Sequence, residues 1–206
     1  QYGSGGRTVG KMLAEKLGQE AFHKGLREYL HTYTYGNATW EDLISILDRE
    51  TPEDLESWSR VWIHSAGLPH IQTRISNDSL VVTQYDPLSR GLLWPQKITF
   101  SLTNGELTET LNLAIKLART KAPIPPDMKY ILPNTDGLAY GMFLPDSLSL
   151  YYMLNNLARF EAEETRLSLL MTLYENMLAG NLRADSFINA LISYLPAETN
   201  NLVRNS

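Results

Sequence analysis

Four histidines are the first candidates for chemistry: His23, His31, His64 and His70. A hydrolytic zinc site on a helix needs two imidazoles four residues apart, so that both reach one ion from one face. No pair here has that spacing. His23 and His31 are two helical turns apart, roughly 12 Å along an axis, too far to share an ion. The spacing reads as polar surface histidines.

Other reactive patterns are equally sparse. The chain has no Cys and no G-x-S-x-G nucleophile elbow. Gly3-Ser4-Gly5-Gly6 lacks the Lys and hydroxyl pair of a phosphate loop, and both a native loop and an expression linker fit it. Glu161, Glu163 and Glu164 fall at a helix start, where acids suit the positive end of the dipole. Met171, Tyr174 and Met177, like Trp58 and Trp62, have the spacing of helical core. Tyr2 is different. It precedes a glycine turn that leads into a helix, and a phenol held there can donate to a developing oxyanion.

The chain that must position these residues has 206 of them, with 23 acids against 18 Lys and Arg. The net charge of −5 disfavours a nucleic-acid partner, which calls for a basic face. Zero Cys excludes a disulfide scaffold and leaves the compartment open. No apolar run approaches the ~18 residues of a membrane span. The chain starts at Gln1 rather than Met, which suggests a processed chain or a piece of a longer protein.

Periodicity divides the sequence into helical, strand and helical stretches. Val9, Met12, Leu13 and Leu17 have helical spacing, and Gly18 stops the turn. A second helix from about Glu20 carries Phe22, Leu26, Tyr29 and Leu30 on one face. Thr39 caps a third, with Leu43, Ile46 and Leu47 as its stripe. Thr51-Pro52-Glu53-Asp54 opens a fourth, with Pro at the first helical position. From His70 the period becomes 2. Asn104-Gly105 signals a hairpin with a type I′ turn, and the Pro-rich stretch 122–127 is excluded from a ladder. Helices resume at Asp146, then a stripe of Leu167, Leu170, Met171, Tyr174, Met177 and Leu178, then Phe187, Ile188, Leu191 and Ile192. The fold class is α+β.

Several segments, in order, resemble one family. Leu17-Gly18-Gln19-Glu20-Ala21-Phe22 with Gly25-Leu26-Arg27-Glu28-Tyr29 is similar to a helix pair of the aminopeptidase N-type zinc metallopeptidases, the gluzincins that include leukotriene hydrolase. Tyr35-Gly36-Asn37-Ala38-Thr39-Trp40-Glu41-Asp42-Leu43 resembles that family's "y-x-n-a-t-x-x-D-l" segment. Trp62 with Gly67 and Pro69 is similar to "W-x-x-x-x-G-x-P", and Leu132-Pro133-Asn134 with Gly137 and Tyr140-Gly141 to "l-N-x-d-x-x-G-Y".

The resemblance implies three domains: 1–69 as the helical end of a catalytic domain, 70–144 as an antiparallel β domain, and 145–206 as the start of a C-terminal helical domain. It implies a parent that removes N-terminal residues from peptides with zinc. The family's H-E-x-x-H and G-x-M-E-N motifs are not in this chain. They would lie upstream, so no metal ligand or cofactor is expected in the fragment, which would be inactive alone. The family's Y-x-K-G turn places a catalytic Tyr, the oxyanion stabiliser, just before the first helix. Gly6 matches that turn's glycine, which puts Tyr2 one residue early and Gly5 at the Lys position. Expected partners are a peptide substrate in the parent, the upstream catalytic half, and self-association through a bared apolar face around Met12, Phe22 and Tyr29. A non-catalytic peptide- or protein-binding scaffold of the same architecture and an unrelated α+β interaction module are the alternatives.

Overall fold

The computed structural model describes residues 9–10, 12–14, 16–34 and 36–195. The chain divides into two compact units, Gln1–Gly67 and Leu68–Ser206. The architecture is α+β, with helices in both units and the strands in the second.

In the first unit, helical backbone over residues 12–14 and 16–17 precedes α1 (Gln19–Thr32), α2 (Trp40–Asp48) and α3 (Leu55–Trp62). Gly18 turns the chain between helices at φ +81°. Thr39 and Asp42 form a reciprocal capping box at the start of α2. The third helix begins three residues later than the Pro52 signal suggests. Asp54 is its N-cap and accepts from Ser57 N, while the Asp48 carboxylate accepts from Leu55 N. Two carboxylates thus satisfy free amides of the first turn, Asp48 that of Leu55 and Asp54 that of Ser57, and Pro52 stays outside the helix. Leu13, Ile44, Leu47, Leu55 and Trp58 form the core. Met12 and Phe22 pack against it, so they do not form the bared face expected from sequence; on α1 it is Leu30 that is exposed. The buried residue of α1 is Gly25, which lets the backbone sit directly on Leu47.

In the second unit, β1 (His70–Ile75), β2 (Ser79–Tyr85), β3 (Gln96–Thr103), β4 (Thr108–Ile115), β5 (Arg119–Pro123), β6 (Tyr130–Pro133) and β7 (Met142–Leu144) form two sheets. Their orders are β5-β2-β1-β7 and β4-β3-β6. Inward side chains of both, including Ile71, Leu80, Phe100, Ile131 and Phe143, share one core. The first sheet is mixed rather than purely antiparallel, because β7 pairs parallel with β1, Ile71 opposite Phe143. Their long connection carries the second sheet, which makes a parallel return feasible.

Two local expectations need correction. The β3–β4 hairpin forms, with Thr103 opposite Thr108. Its turn is a four-residue loop, not a two-residue type I′ turn. Gly105 takes φ +104°, while the Asn104 side chain accepts from the amides of Glu106 and Leu107. Nor does the Pro-rich stretch stay out of the ladder, since Ala122 and Pro123 pair with Leu80 and Ser79. Pro123 is tolerated because β5 is an edge strand and ends there.

The helices α4 (Ser147–Asn156), α5 (Glu163–Leu178) and α6 (Ala184–Tyr194) follow, with a 3₁₀ turn at Leu157–Arg159. Asp146 caps α4, and Ser149 Oγ accepts from Ile131 N at 2.8 Å, tying that helix to β6. The stripe of α5 is rotated from the expected one. Leu169, Leu170 and Leu173 are buried, whereas Met171, Tyr174 and Leu178 are exposed. A polar row turns the helix. Ser168 donates to Asn134 O, and Asn176 Nδ2 donates to Phe143 O at 2.8 Å. These buried polar bonds outweigh the apolar count on the other face. Likewise Ile188 and Ile192 of α6 are exposed while Phe187 and Tyr194 are buried.

Candidate functional site

Tyr2, the one candidate for oxyanion stabilisation, lies outside the described residues. The histidines are dispersed. His23 and His31 are exposed on α1. His64 Nε2 lies 3.3 Å from Glu41 Oε1, with both side chains largely in water. His70 Nδ1 lies 3.3 Å from the Tyr85 hydroxyl, and the two rings meet edge to face at 5.3 Å. Among the described residues no three of His, Asp and Glu gather as a metal-ligand group. The described side chains therefore do not fit a zinc ion. Glu163 and Glu164 occupy the first turn of α5, and the neighbouring Glu161 carbonyl accepts from Arg166.

What the quoted segments do build is joints. At the α2 start, two Thr39 hydrogen bonds hold the Asp42 carboxyl below its ordinary value, and Asp42 holds the Tyr33 phenol above its own by accepting from it. Trp40 Nε1 donates to Ser59 Oγ at 2.7 Å and clamps α2 to α3, where Trp58 and Trp62 stack at 5.7 Å. This explains the Thr39-Trp40-Glu41-Asp42 pattern as a cap plus a clamp.

The second joint is Asn134. It is buried with φ +53°, a left-handed conformation that Asn tolerates. Its Oδ1 accepts from Ala139 N and its Nδ2 donates to Ala139 O. Within the same loop Gly137 takes φ +67°, and Asp136 accepts from Leu138 N and the Thr99 hydroxyl. Gly141, at φ +151°, lies so close to Pro69 and Ile71 that a Cβ would come within 2.9 Å of both. So Asn134, Gly137 and Gly141 fix the loop between β6 and β7.

Sequence reading did not single out Glu175. It is half-buried, and burial raises its carboxyl above the ordinary range. It faces a cavity of about 310 Å³ lined also by Leu68, Ala139, Phe143 and Met171. No local signal marks it, since a Glu on a mixed helix face reads as solvated.

Known proteins are similar to parts of this chain. Residues 2–62 match the peptidase family M1 domain. The chain is 34% identical over 74 residues, 36% of its length, to aminopeptidase N of Streptomyces lividans, and covers 9% of that protein. It is 32% identical over 88 residues, 43% of its length, to the alanine/arginine aminopeptidase of Saccharomyces cerevisiae, covering 10% of it. An alignment of 201 residues, 96% of the chain, runs at 22% identity to the tricorn protease-interacting factor F2 of Thermoplasma volcanium and covers 24% of that protein. The chain thus spans about a quarter or less of the length of these relatives. The helices of the first unit thus resemble the peptidase family M1 domain, and the chain is similar over part of its length to aminopeptidases, aminopeptidase N among them.

Proposed function

We propose that this chain is a segment of an M1 aminopeptidase that removes N-terminal residues from peptides. The observation that carries this is the M1 match across the helices of the first unit together with aminopeptidase relatives. In this reading 1–69 ends a catalytic domain, 70–144 forms a β domain, and 145–206 opens a helical domain. The helices would wall one side of the substrate cleft and brace the catalytic half. Zinc would be held by residues of the parent outside this chain and would activate the attacking water. Tyr2 would donate to the developing oxyanion.

A scaffold that binds a peptide or protein without cutting it is the second reading. The relative whose name is that of a protease-interacting factor, aligned over almost the whole chain, favours it. Sequencing the coding region upstream of Gln1 separates the two. An intact H-E-x-x-H supports the peptidase; a disrupted one supports the scaffold.

A further inference from the structure

The cavity beside the β6–β7 loop has polar side chains in its wall, and most of them are already engaged. The Ser168 hydroxyl donates to Asn134 O and the Thr172 hydroxyl to Ser168 O. The Asn134 amide is closed on Ala139. The Glu175 carboxylate stands apart. Among the described residues it has no hydrogen-bond or ion-pair partner, and burial raises its carboxyl above the ordinary range. It sits against about 310 Å³ of open space whose walls include Leu68, Ala139, Tyr140, Phe143 and Met171.

A half-buried carboxylate without a partner is costly, and a cation supplied from outside relieves that cost. The apolar walls suit an aliphatic stem. Guanidinium fits better than ammonium, because it is less strongly hydrated and binds both carboxylate oxygens at once. We propose that this pocket receives an arginine side chain presented by a polypeptide partner, with Glu175 as its anchor. The inference is independent of the peptidase reading, since neither Tyr2 nor any metal ligand takes part.

The test is an NMR titration of the isotopically labelled chain with N-acetyl-arginine amide. N-acetyl-citrulline amide, of the same shape without charge, is the control, and butylguanidinium represents a free small cation. Saturable shifts at the amides of Ala139, Gly141 and Thr172 are expected with the arginine probe. Citrulline should bind about tenfold more weakly or worse, as should the arginine probe to Glu175→Gln, because a charge-assisted bond is lost. The Glu175 carboxyl resonance should titrate at lower pH when the arginine probe is bound. No saturable shift, or equal binding of arginine and citrulline, overturns the proposal. Butylguanidinium binding more tightly than the arginine probe overturns the polypeptide source. Should Glu175→Gln fail to fold, the arginine–citrulline comparison on the unaltered chain still decides.

Discussion

The Asn134 side chain and the backbone of Ala139 close a ring of two hydrogen bonds, Oδ1 from Ala139 N at 2.8 Å and Nδ2 to Ala139 O at 3.2 Å. The same residue's carbonyl receives the Ser168 hydroxyl. Asn134, just past the end of β6, therefore joins the loop before β7 through its side chain and α5 through its carbonyl. Asn134→Ala leaves both Ala139 groups without partners and should cost about 2–3 kcal/mol. Asn134→Asp keeps an acceptor for Ala139 N and should cost less. Urea unfolding of the three chains checks the order; equal midpoints would show that the ring carries no stability.

Two glycines should respond differently to Ala. A Cβ at Gly25 meets the tip of Leu47 at 2.5 Å, a side-chain end that can turn aside. A Cβ at Gly141 meets the Pro69 carbonyl and the Ile71 tip, both at 2.9 Å, on backbone at φ +151°. The backbone cannot yield without breaking the Met142 N to Pro69 O bond. Gly141→Ala should cost about 2 kcal/mol or more, and Gly25→Ala less. Thermal unfolding with the reverse ranking would contradict the packing described.

The Asp86 carboxylate is buried and accepts from Arg90 Nε and Nη2 and from the amides of Leu88 and Arg90. The Arg90 guanidinium holds the Asp86 carboxyl well below the usual carboxylate range. A depressed folded-state value means stability that is present above the unfolded value of ~4 and is lost as pH falls through the folded one. The chain should exceed Asp86→Asn in stability at pH 7, with the gap shrinking steadily below pH ~4. A gap that is constant from pH 7 to 2 would rule out this linkage.

Glu175 has the opposite sign. Burial raises its carboxyl in the folded state, so the ionised form is disfavoured there. Without a bound cation, Glu175→Gln should be more stable than the parent chain at pH 7, and the difference should vanish below ~4, where both states are protonated. Calorimetry across that range would detect it; a less stable Gln variant at pH 7 would mean the carboxylate already has a partner.

The α+β class and most elements were legible because period and caps are local. Thr39 with Asp42, and Asn104 with Gly105, announce their turns within four residues. The α3 start and the β3–β4 loop were missed for local reasons, side-chain caps from Asp48, Asp54 and Asn104, whereas the other errors arise from distant partners. The face of α5 is decided by Ser168 and Asn176, whose hydroxyl and amide groups reach Asn134 and Phe143, more than 30 residues away in the chain. Pro123 enters a ladder because its neighbour is β2 and its outer side is free. Glu175 gave no signal at all, since its exposure depends on how the β6–β7 loop folds over α5. Tyr2 was visible from its place before the glycine turn, with the family resemblance adding a role one residue out of register, and it falls outside the described residues.

The most direct test of the peptidase reading compares a peptide bearing a free N-terminal amine with the same peptide acetylated, each incubated with the full-length gene product and with the 206-residue chain, and followed by mass spectrometry. The account predicts stepwise loss of N-terminal residues from the free peptide by the full-length product alone, no cleavage of the acetylated one, and no cleavage by the 206-residue chain. An intact free peptide after prolonged incubation with the full-length product, or trimming by the 206-residue chain alone, would contradict it.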